Sequence, residues 1–492
     1  MESACVNQSK FVFVNSGANL PKDHIVFSIK SVVREFFDKY WFLFDDEKKK
    51  GNKKKYSNEE LLGFYVLCYS MGITSVREMN RRLYDNVESF DYILNDKKPS
   101  KSTLSNFKNK YDWIISEFFY FTIEKGIELD LIDGDVAVGD GTIVKANASN
   151  DNRIAREKIP EVINLISKFK YRGKRDTTQK ELNKYFRNNK NETPKVTEIL
   201  NKFNKPTLNL IEKALKSKKE RDGIIEFLNE ITKYHDPNTK YDINLTDPES
   251  RYMKDKKGVS GQNYNVQAVS DSKNQMLLYV GVNIDANDYN QLIPLIESTI
   301  MSLQFTPNFF TVDNGYWTNN GLNYCYDNKI NLIIPNKAEA QKRNNKKSKK
   351  KYPKNIFPYD RVNNCFICPE GPILHHAGIK KQNGKLYDRY TSEECKNCPH
   401  RKDCTKQSQR EILETRDPVK KKFNDDFYSD KGQEIYNKRA SSIESIFGVN
   451  KFSRNYSNLK RKGIKKCTID LQLIAIAHNM KIIDKELNKK IS

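Results

Sequence analysis

Val136-Ala137-Val138-Gly139-Asp140-Gly141-Thr142-Ile143-Val144-Lys145 alternates, is rich in β-branched residues, and reads as a strand with one acid set in an apolar run. Two distant stretches repeat the theme. Phe309-Phe310-Thr311-Val312-Asp313 ends an apolar run on an acid, and Ser442-Ile443-Glu444-Ser445-Ile446-Phe447 places one on the side of an apolar helix. Carboxylates at strand ends, joined by a third from a helix, gather the oxygen ligands that hard divalent cations prefer. The chemistry expected of such a site is phosphoryl transfer.

Outward from the first strand, strand signals follow at Tyr264-Asn265-Val266-Gln267-Ala268-Val269 and Met276-Leu277-Leu278-Tyr279-Val280-Gly281-Val282. A helix is predicted over about 288–303 with Leu292, Leu295 and Ile296 inward, then the strand ending at Asp313, another helix, the strand Ile330-Asn331-Leu332-Ile333-Ile334, and much later a closing helix. That order is the order of an α/β, ribonuclease H-like mixed sheet with flanking helices. Its first and fourth strands are neighbours, so Asp140 and Asp313 are expected to converge across 173 positions. Segment 432–450, with Ile435, Ile443, Ile446 and Phe447 on its apolar side, is expected to bring in Glu444.

The 492 residues allow two to four domains, and 86 Lys plus Arg against 63 Asp plus Glu give a formal charge of +23. Such a balance favours a polyanionic partner, although a Lys- and Asn-rich soluble surface gives the same count. No apolar run nears the ~18 residues of a membrane span, and the first twenty residues lack the order of a signal peptide. The expected setting is the cytoplasm, with no membrane partner. Residues 1–130 read as a helical N-terminal DNA-binding domain. Within it, Ser75-Val76-Arg77-Glu78 reads as a capping box, and the basic helix around Leu104 and Lys108 resembles the second half of a helix-turn-helix or one face of an ordinary bundle. The charged helical segment 153–236 reads as an insertion into a catalytic domain over 131–340 and 405–492. Residues 341–404 carry a basic run, Gln341 to Lys354, and a Cys-rich insert. The run reads as a loop, with phosphate contact as its functional alternative.

The strings GDGTIVKANAS (139–149), TDPESRYMKDKKG followed by QNYNVQAVSD, VDNGYW (312–317) and IYNKRASSIESIFGVNKF (435–452) resemble a bacterial insertion-sequence transposase of the IS1182 group of DDE transposases, within the broad IS4-like class. The amino-terminal part resembles the InsH-type domain of such enzymes. The resemblance implies that Asp140, Asp313 and Glu444 hold two Mg²⁺ ions, Mn²⁺ being a substitute, and that Tyr436, Arg439 and Lys451 belong to a DNA-contacting tail motif. Arg439 stands one position further from Glu444 than the broader class has it. Two such ions activate an attacking oxygen and stabilise the leaving one. The implied reaction is hydrolysis at the element ends followed by attack of the freed 3′-hydroxyl on target DNA. The implied partners are double-stranded DNA, as terminal inverted repeats and target, and a second copy of the chain in a nucleoid-associated homodimer. Trp317 reads as a base-stacking residue or a half-buried aromatic at a helix start. A catalytically silent DNA-binding repressor is the competing function, and an intact acidic triad argues against it.

Five of nine cysteines fall between 365 and 404. Two CxxC pairs, Cys365/Cys368 and Cys395/Cys398, followed by Cys404, fit a structural Zn²⁺ in a small zinc-ribbon-like insert. The family pattern matches Cys368, Cys395, Cys398 and Cys404, with Cys365 as a possible substitute; His375, His376 and His400 are weaker candidates. Asp133 and Asp135 read as the turn into the first strand, Asp288 as a helix N-cap or an outer residue of the acidic site, and His478 as a packed histidine.

Overall fold

The computed structural model describes residues 17, 19–48, 55–188, 194–233, 241–255, 258–337, 339–340, 351–360, 362–441 and 458–489. The amino-terminal part is helical: α1 (Ile25–Lys39), α2 (Asn58–Ser70), α3 (Val76–Arg82), α4 (Glu88–Leu94), α5 (Lys101–Lys110) and α6 (Asp112–Glu128). A capping box is present at a different place from the predicted one. At the start of α2 the Ser57 hydroxyl accepts from the Glu60 amide, and the Glu60 carboxylate accepts from the Ser57 amide, each at 3.1 Å. Ser75 occupies the N-cap position of α3 but makes no side-chain cap bond, because Glu78 is turned to Arg81 and Arg82 at 2.6 and 3.0 Å. Two guanidiniums within one helical turn outcompete a backbone amide for that carboxylate.

The central sheet contains β1 (Val136–Lys145), β4 (Arg251–Lys254), β5 (Ser260–Asp271), β6 (Leu277–Asn283), β7 (Phe309–Thr311) and β8 (Leu332–Ile333); β2 (Arg153–Ala155) and β3 (Asp242–Asn244) pair separately. Strand β5 runs antiparallel to β1, and its far edge is shared by β4 and β6. On the other side of β1 lie β7 and then β8, both parallel. The spatial order β6-β5-β1-β7-β8 thus places the first and fourth of the anticipated strands side by side. Crossovers of this parallel kind require a helix, and α12 (Leu292–Leu303) and α13 (Asn319–Asp327) supply them.

Between β1 and β4 the chain leaves the sheet to form α7 (Ile159–Ser167), α8 (Thr177–Asn188), α9 (Pro194–Lys202), α10 (Lys205–Lys216) and α11 (Lys218–Lys233). These helices and the β2/β3 pair bury their own core around Val162, Ile166, Ile211 and Leu228. After β8 comes a second antiparallel sheet, β9 (Tyr359–Asp360), β10 (Cys365–Ile367), β11 (Ile373–Gln382), β12 (Lys385–Thr391) and β13 (Ile412–Thr415). Because β13 pairs with β12, this sheet extends past 404, where the sequence places its end. Among the described residues, helices α14 (Pro418–Tyr428), α15 (Asp430–Ser441) and α16 (Ile464–Lys489) follow.

Helix α16 is buried along much of its length against α6, α2, α1 and β6, so the amino-terminal helices and the sheet share one hydrophobic core. His478 bonds the Gln275 carbonyl at 2.9 Å from within this interface, as a packed histidine. An ion pair sits in the same interface. Lys108 of α5, predicted to lie on a solvated basic face, is buried, with its ammonium 2.5 Å from Asp470 and 2.7 Å from the Tyr69 hydroxyl. Arg461 stands 3.5 Å from the same carboxylate, so removing Lys108 leaves Asp470 buried with a more distant cation. Lys108→Met is expected to destabilise the fold by about 3–5 kcal/mol in urea titrations, and Lys108→Met/Asp470→Leu to recover most of it. Equal loss in the single and double variants would show that the pairing is not what holds α5 to α16.

Candidate active site

Two acids are brought together by strand pairing. Val138 of β1 lies opposite Thr311 of β7, and two residues further along both parallel chains come Asp140 and Asp313. Asp140 is buried in the middle of β1, whereas Asp313 follows the end of β7 and caps a short turn by accepting from the Gly315 amide at 2.7 Å. Arg439 reaches onto them from α15. Its Nη2 lies 3.1 Å from Asp140 Oδ1 and 3.9 Å from Asp313 Oδ2, and the residue is only 9% exposed. Neighbouring positions of α15 touch the same region, Lys438 at 3.6 Å from Asp135 and Lys431 over the Phe309 ring.

The glycines around Asp140 have a steric cause. Side chains directly opposite across an antiparallel pair share a face, so Asp140 shares one with Ala268, while Gly141 shares the other with Gln267. On the glycine face, a Cβ at Gly139 would come within 3.0 Å of Leu295 and Val312, and one at Gly141 would overlap the Asp288 carboxylate. Asp288 is not an N-cap; Gln291 holds that position at α12. Its Oδ1 instead accepts from Asn265 at 2.9 Å and Gln267 at 2.6 Å, and Gln267 in turn bonds the buried Tyr316 hydroxyl. Sequence reasoning misses this polar lining. A signal for it exists, because Asn263, Asn265 and Gln267 put buried amides at every second position of a strand with apolar residues between them.

Among the described residues, no group of three His, Cys, Asp or Glu side chains is disposed to hold a metal ion. Asp288 lies over Gly141, on the face of β1 opposite Asp140, yet it also approaches Asp313 around Gly315 and its charge helps to raise the Asp313 pKa. Glu444 and Lys451 lie outside the described residues. Of the other anticipated residues, Tyr436 packs edge-on against Phe427 with ring centres 5.2 Å apart, and Trp317 is half-buried against the main core. Asp133 accepts from the Asp135 amide at 2.9 Å in the turn before β1, as its sequence context predicts.

Cys368, Cys395, Cys398 and Cys404 all line one small cavity of about 20 Å³, on the scale of a single bound atom or water. Burial pushes the Cys368 and Cys404 thiols up, and the other thiols of the group push in the same direction. Cys365 is not among the lining residues; it is buried on β10 between Asp360 and His375. His400 faces Glu370 at 3.6 Å, and His376 faces Asp388 at 3.0 Å.

Two segments match known protein families. Residues 367–483 match a family model described as a transposase DDE domain, and residues 14–110 match one described as a transposase domain (DUF772). These matches indicate a DDE-type transposase. The DDE-domain match takes in Arg439, most of the cysteine group and most of α16, whereas Asp140 and Asp313 fall outside both matched ranges. No curated protein matches the chain. Among the described residues, no helix is long and apolar enough to cross a membrane.

Burial first, then the charge of Asp140, raises the pKa of Asp313, while Arg439 and the Gly315 amide oppose the rise. Between the ordinary carboxylate value and the raised one, the folded chain holds a proton that the unfolded chain has released, so ionisation of Asp313 as pH rises through this window subtracts stability. In a ¹³C NMR carboxyl titration, Asp140→Asn is expected to move the Asp313 midpoint down and Arg439→Met to move it up. A midpoint unmoved in both variants would mean that the three side chains do not share one electrostatic site.

Proposed function

We propose that this chain is the DNA transposase of an insertion sequence of the IS1182 group, with a ribonuclease H-like catalytic sheet that hydrolyses phosphodiesters at the element ends and joins the freed 3′-hydroxyl to target DNA. The observation that carries the proposal is the seating of one cation, the Arg439 guanidinium, against two carboxylates, Asp140 within β1 and Asp313 just beyond β7. Buried acids of like charge held this close need a positive partner. The oxygen-only donor set of Asp140 and Asp313, with Glu444 as third member, fits Mg²⁺ or Mn²⁺. The chemistry that a pair of such ions supplies when bound is activation of the attacking oxygen and stabilisation of the leaving one.

The chain's own residues do the rest. Asp140 and Asp313 fix the position of the scissile phosphate relative to the sheet. Released from the acids when metal binds, Arg439 is free to turn to a phosphate oxygen, for which its forked donors are suited. Lys451 and Tyr436 extend the DNA-contacting surface along the tail, and Trp317 stacks against a displaced base. Gln267, Asn265 and Tyr316 hold Asp288 on the far face of β1 and stiffen the strand that carries Asp140. The DNA is held by two copies of the chain, each engaging one element end.

The second sheet is assigned a structural Zn²⁺ held by Cys368, Cys395, Cys398 and Cys404. The four thiols line one small cavity and are the donor type Zn²⁺ takes in closed sites, although as placed no three of them are disposed to hold the ion; the raised pKa values of Cys368 and Cys404 mean that loading would release protons.

With Mg²⁺ and labelled element ends, the intact chain is expected to nick and join, while Asp140→Asn loses cleavage by at least about 10³-fold, the scale of deleting one group that stabilises the transition state, and keeps DNA affinity within about threefold. Binding without cleavage by the unaltered chain would instead mark a catalytically silent repressor. For the cysteine group, metal analysis of the purified chain is expected to give one zinc per copy and Cys398→Ser to lower that content; unchanged zinc in the variant would remove these thiols as ligands.

A further inference from the structure

Beyond the acidic site, β1 ends in a basic groove that no function has yet absorbed. Its volume is about 510 Å³, and it is lined by Lys145, Asn147, Ser149, Thr246, Lys460 and Lys462 among others. All three lysines are exposed. None of the described residues lining the groove is acidic. The groove is firmly built. Lys145 and Asn458 form a parallel bridge, the Leu459 amide donates to the Lys145 carbonyl at 2.9 Å, and Asn147 Nδ2 donates to the Lys460 carbonyl at 2.7 Å.

The nearest acids point elsewhere. Asp247 accepts from the Gly463 amide at 3.1 Å and the Tyr264 hydroxyl at 2.8 Å, and Glu249 accepts from the Ile464 amide at 2.9 Å, so both are turned toward the start of α16. The groove thus presents three exposed lysines beside the Ser149 and Thr246 hydroxyls and the Asn458 amide, with Ala146, Ala148 and Leu459 between them. That combination suits phosphate oxygens, which accept hydrogen bonds from all three group types.

Position adds a second argument. The groove lies five residues beyond Asp140 on the same strand, at about 3.3 Å per residue or roughly 17 Å, which is the axial rise of about five base pairs at 3.4 Å each. Strand β7 runs parallel to β1 and stops at Thr311, two residues before Asp313, so the acidic pair opens toward the same end of the sheet as the groove.

We infer that the Lys145/Lys460/Lys462 groove is a phosphate-backbone site for duplex DNA, gripping the DNA about half a helical turn from the scissile phosphate; this rests on the transposase reading. Because the two segments forming it are the end of β1 and the stretch leading into α16, DNA seated there ties the catalytic strand to the helix that joins the sheet to the amino-terminal helices. The interaction is with the backbone and carries no sequence preference of its own.

The test is the salt dependence of binding of the full-length chain to a fluorescently labelled duplex of mixed sequence, between about 50 and 200 mM salt. Each phosphate that is no longer neutralised lowers the slope of log K against log salt by about 0.9. The Lys145→Ala/Lys460→Ala/Lys462→Ala variant is expected to lower the slope by about 2 to 3. A control that removes the same charge from the helices between β1 and β4, Lys213→Ala/Lys216→Ala/Lys219→Ala, is expected to leave it within about 0.9 of the unaltered chain. Equal slopes in the two variants would overturn the groove. Should the triple variant fail to fold, Lys460→Gln and Lys462→Gln singly are each expected to lower the slope by about 0.9, and unchanged slopes in both would overturn it as well. A lowered slope in a chain that never cleaves element ends would keep the groove and reject the transposase chemistry. Cleavage with an unchanged slope would do the reverse.

Discussion

Two carboxylates on adjacent parallel strands, with a guanidinium laid across them, are the constraint around which the central part of this molecule is arranged. Asp140 cannot leave its face of β1, because the other face is filled by α12 and by Asp288 pressed over Gly141. Asp313 cannot leave β7 without giving up the turn it caps. Their mutual repulsion is therefore built into the backbone, and Arg439, delivered by α15, answers it. On the proposed function, a divalent cation and Arg439 are alternatives for one negative seat, and exchange between them links metal loading to the position of α15.

The same economy of elements couples the ends of the chain. Helix α16 packs beside β6 while burying Asp470 against Lys108 of α5 and pairing Lys465 with Asp112 of α6, so it ties the amino-terminal helices to the central sheet across a continuous core. Ser116 of α6 meets Gln472 at 2.8 Å and Asn479 bonds both the Leu277 backbone and Thr122, which adds polar fixed points to an otherwise apolar interface. Polar interactions of this kind fix register and orientation where hydrophobic packing alone tolerates sliding.

Much of the sheet was legible in the sequence because its strands are short apolar runs with period-two patterning, and their order alone places β1 beside β7. Asp140 and Asp313 followed from that adjacency. Local polar choices were harder to read. Glu78 has both an amide and two arginines within reach, and only the folded geometry shows that the arginines win. Lys108 looks solvated in a run of polar residues, yet its partner Asp470 lies 362 positions away, and no local pattern reports such a pairing. Asp288 reads as a cap because it precedes a helix, whereas its partners come from the alternate amides of β5. The cysteine group was legible from spacing, but spacing alone pairs Cys365 with Cys368; it was the family pattern that set Cys365 apart, because a CxxC pair does not reveal that its strand position keeps one thiol off the cavity.

The seat formed by Asp140 and Asp313 is tested most directly by replacing the proposed Mg²⁺ with Fe²⁺ and mapping where peroxide and ascorbate cut the backbone. Radicals formed at a bound iron cut only nearby chain, so the expected result is cleavage close to Asp140, Asp313 and Glu444. Those cuts are expected to be suppressed by excess Mg²⁺ and lost in Asp313→Asn. Cuts confined to the cysteine group, or cuts near Asp140 that persist in Asp313→Asn, would contradict a divalent-cation seat at these acids.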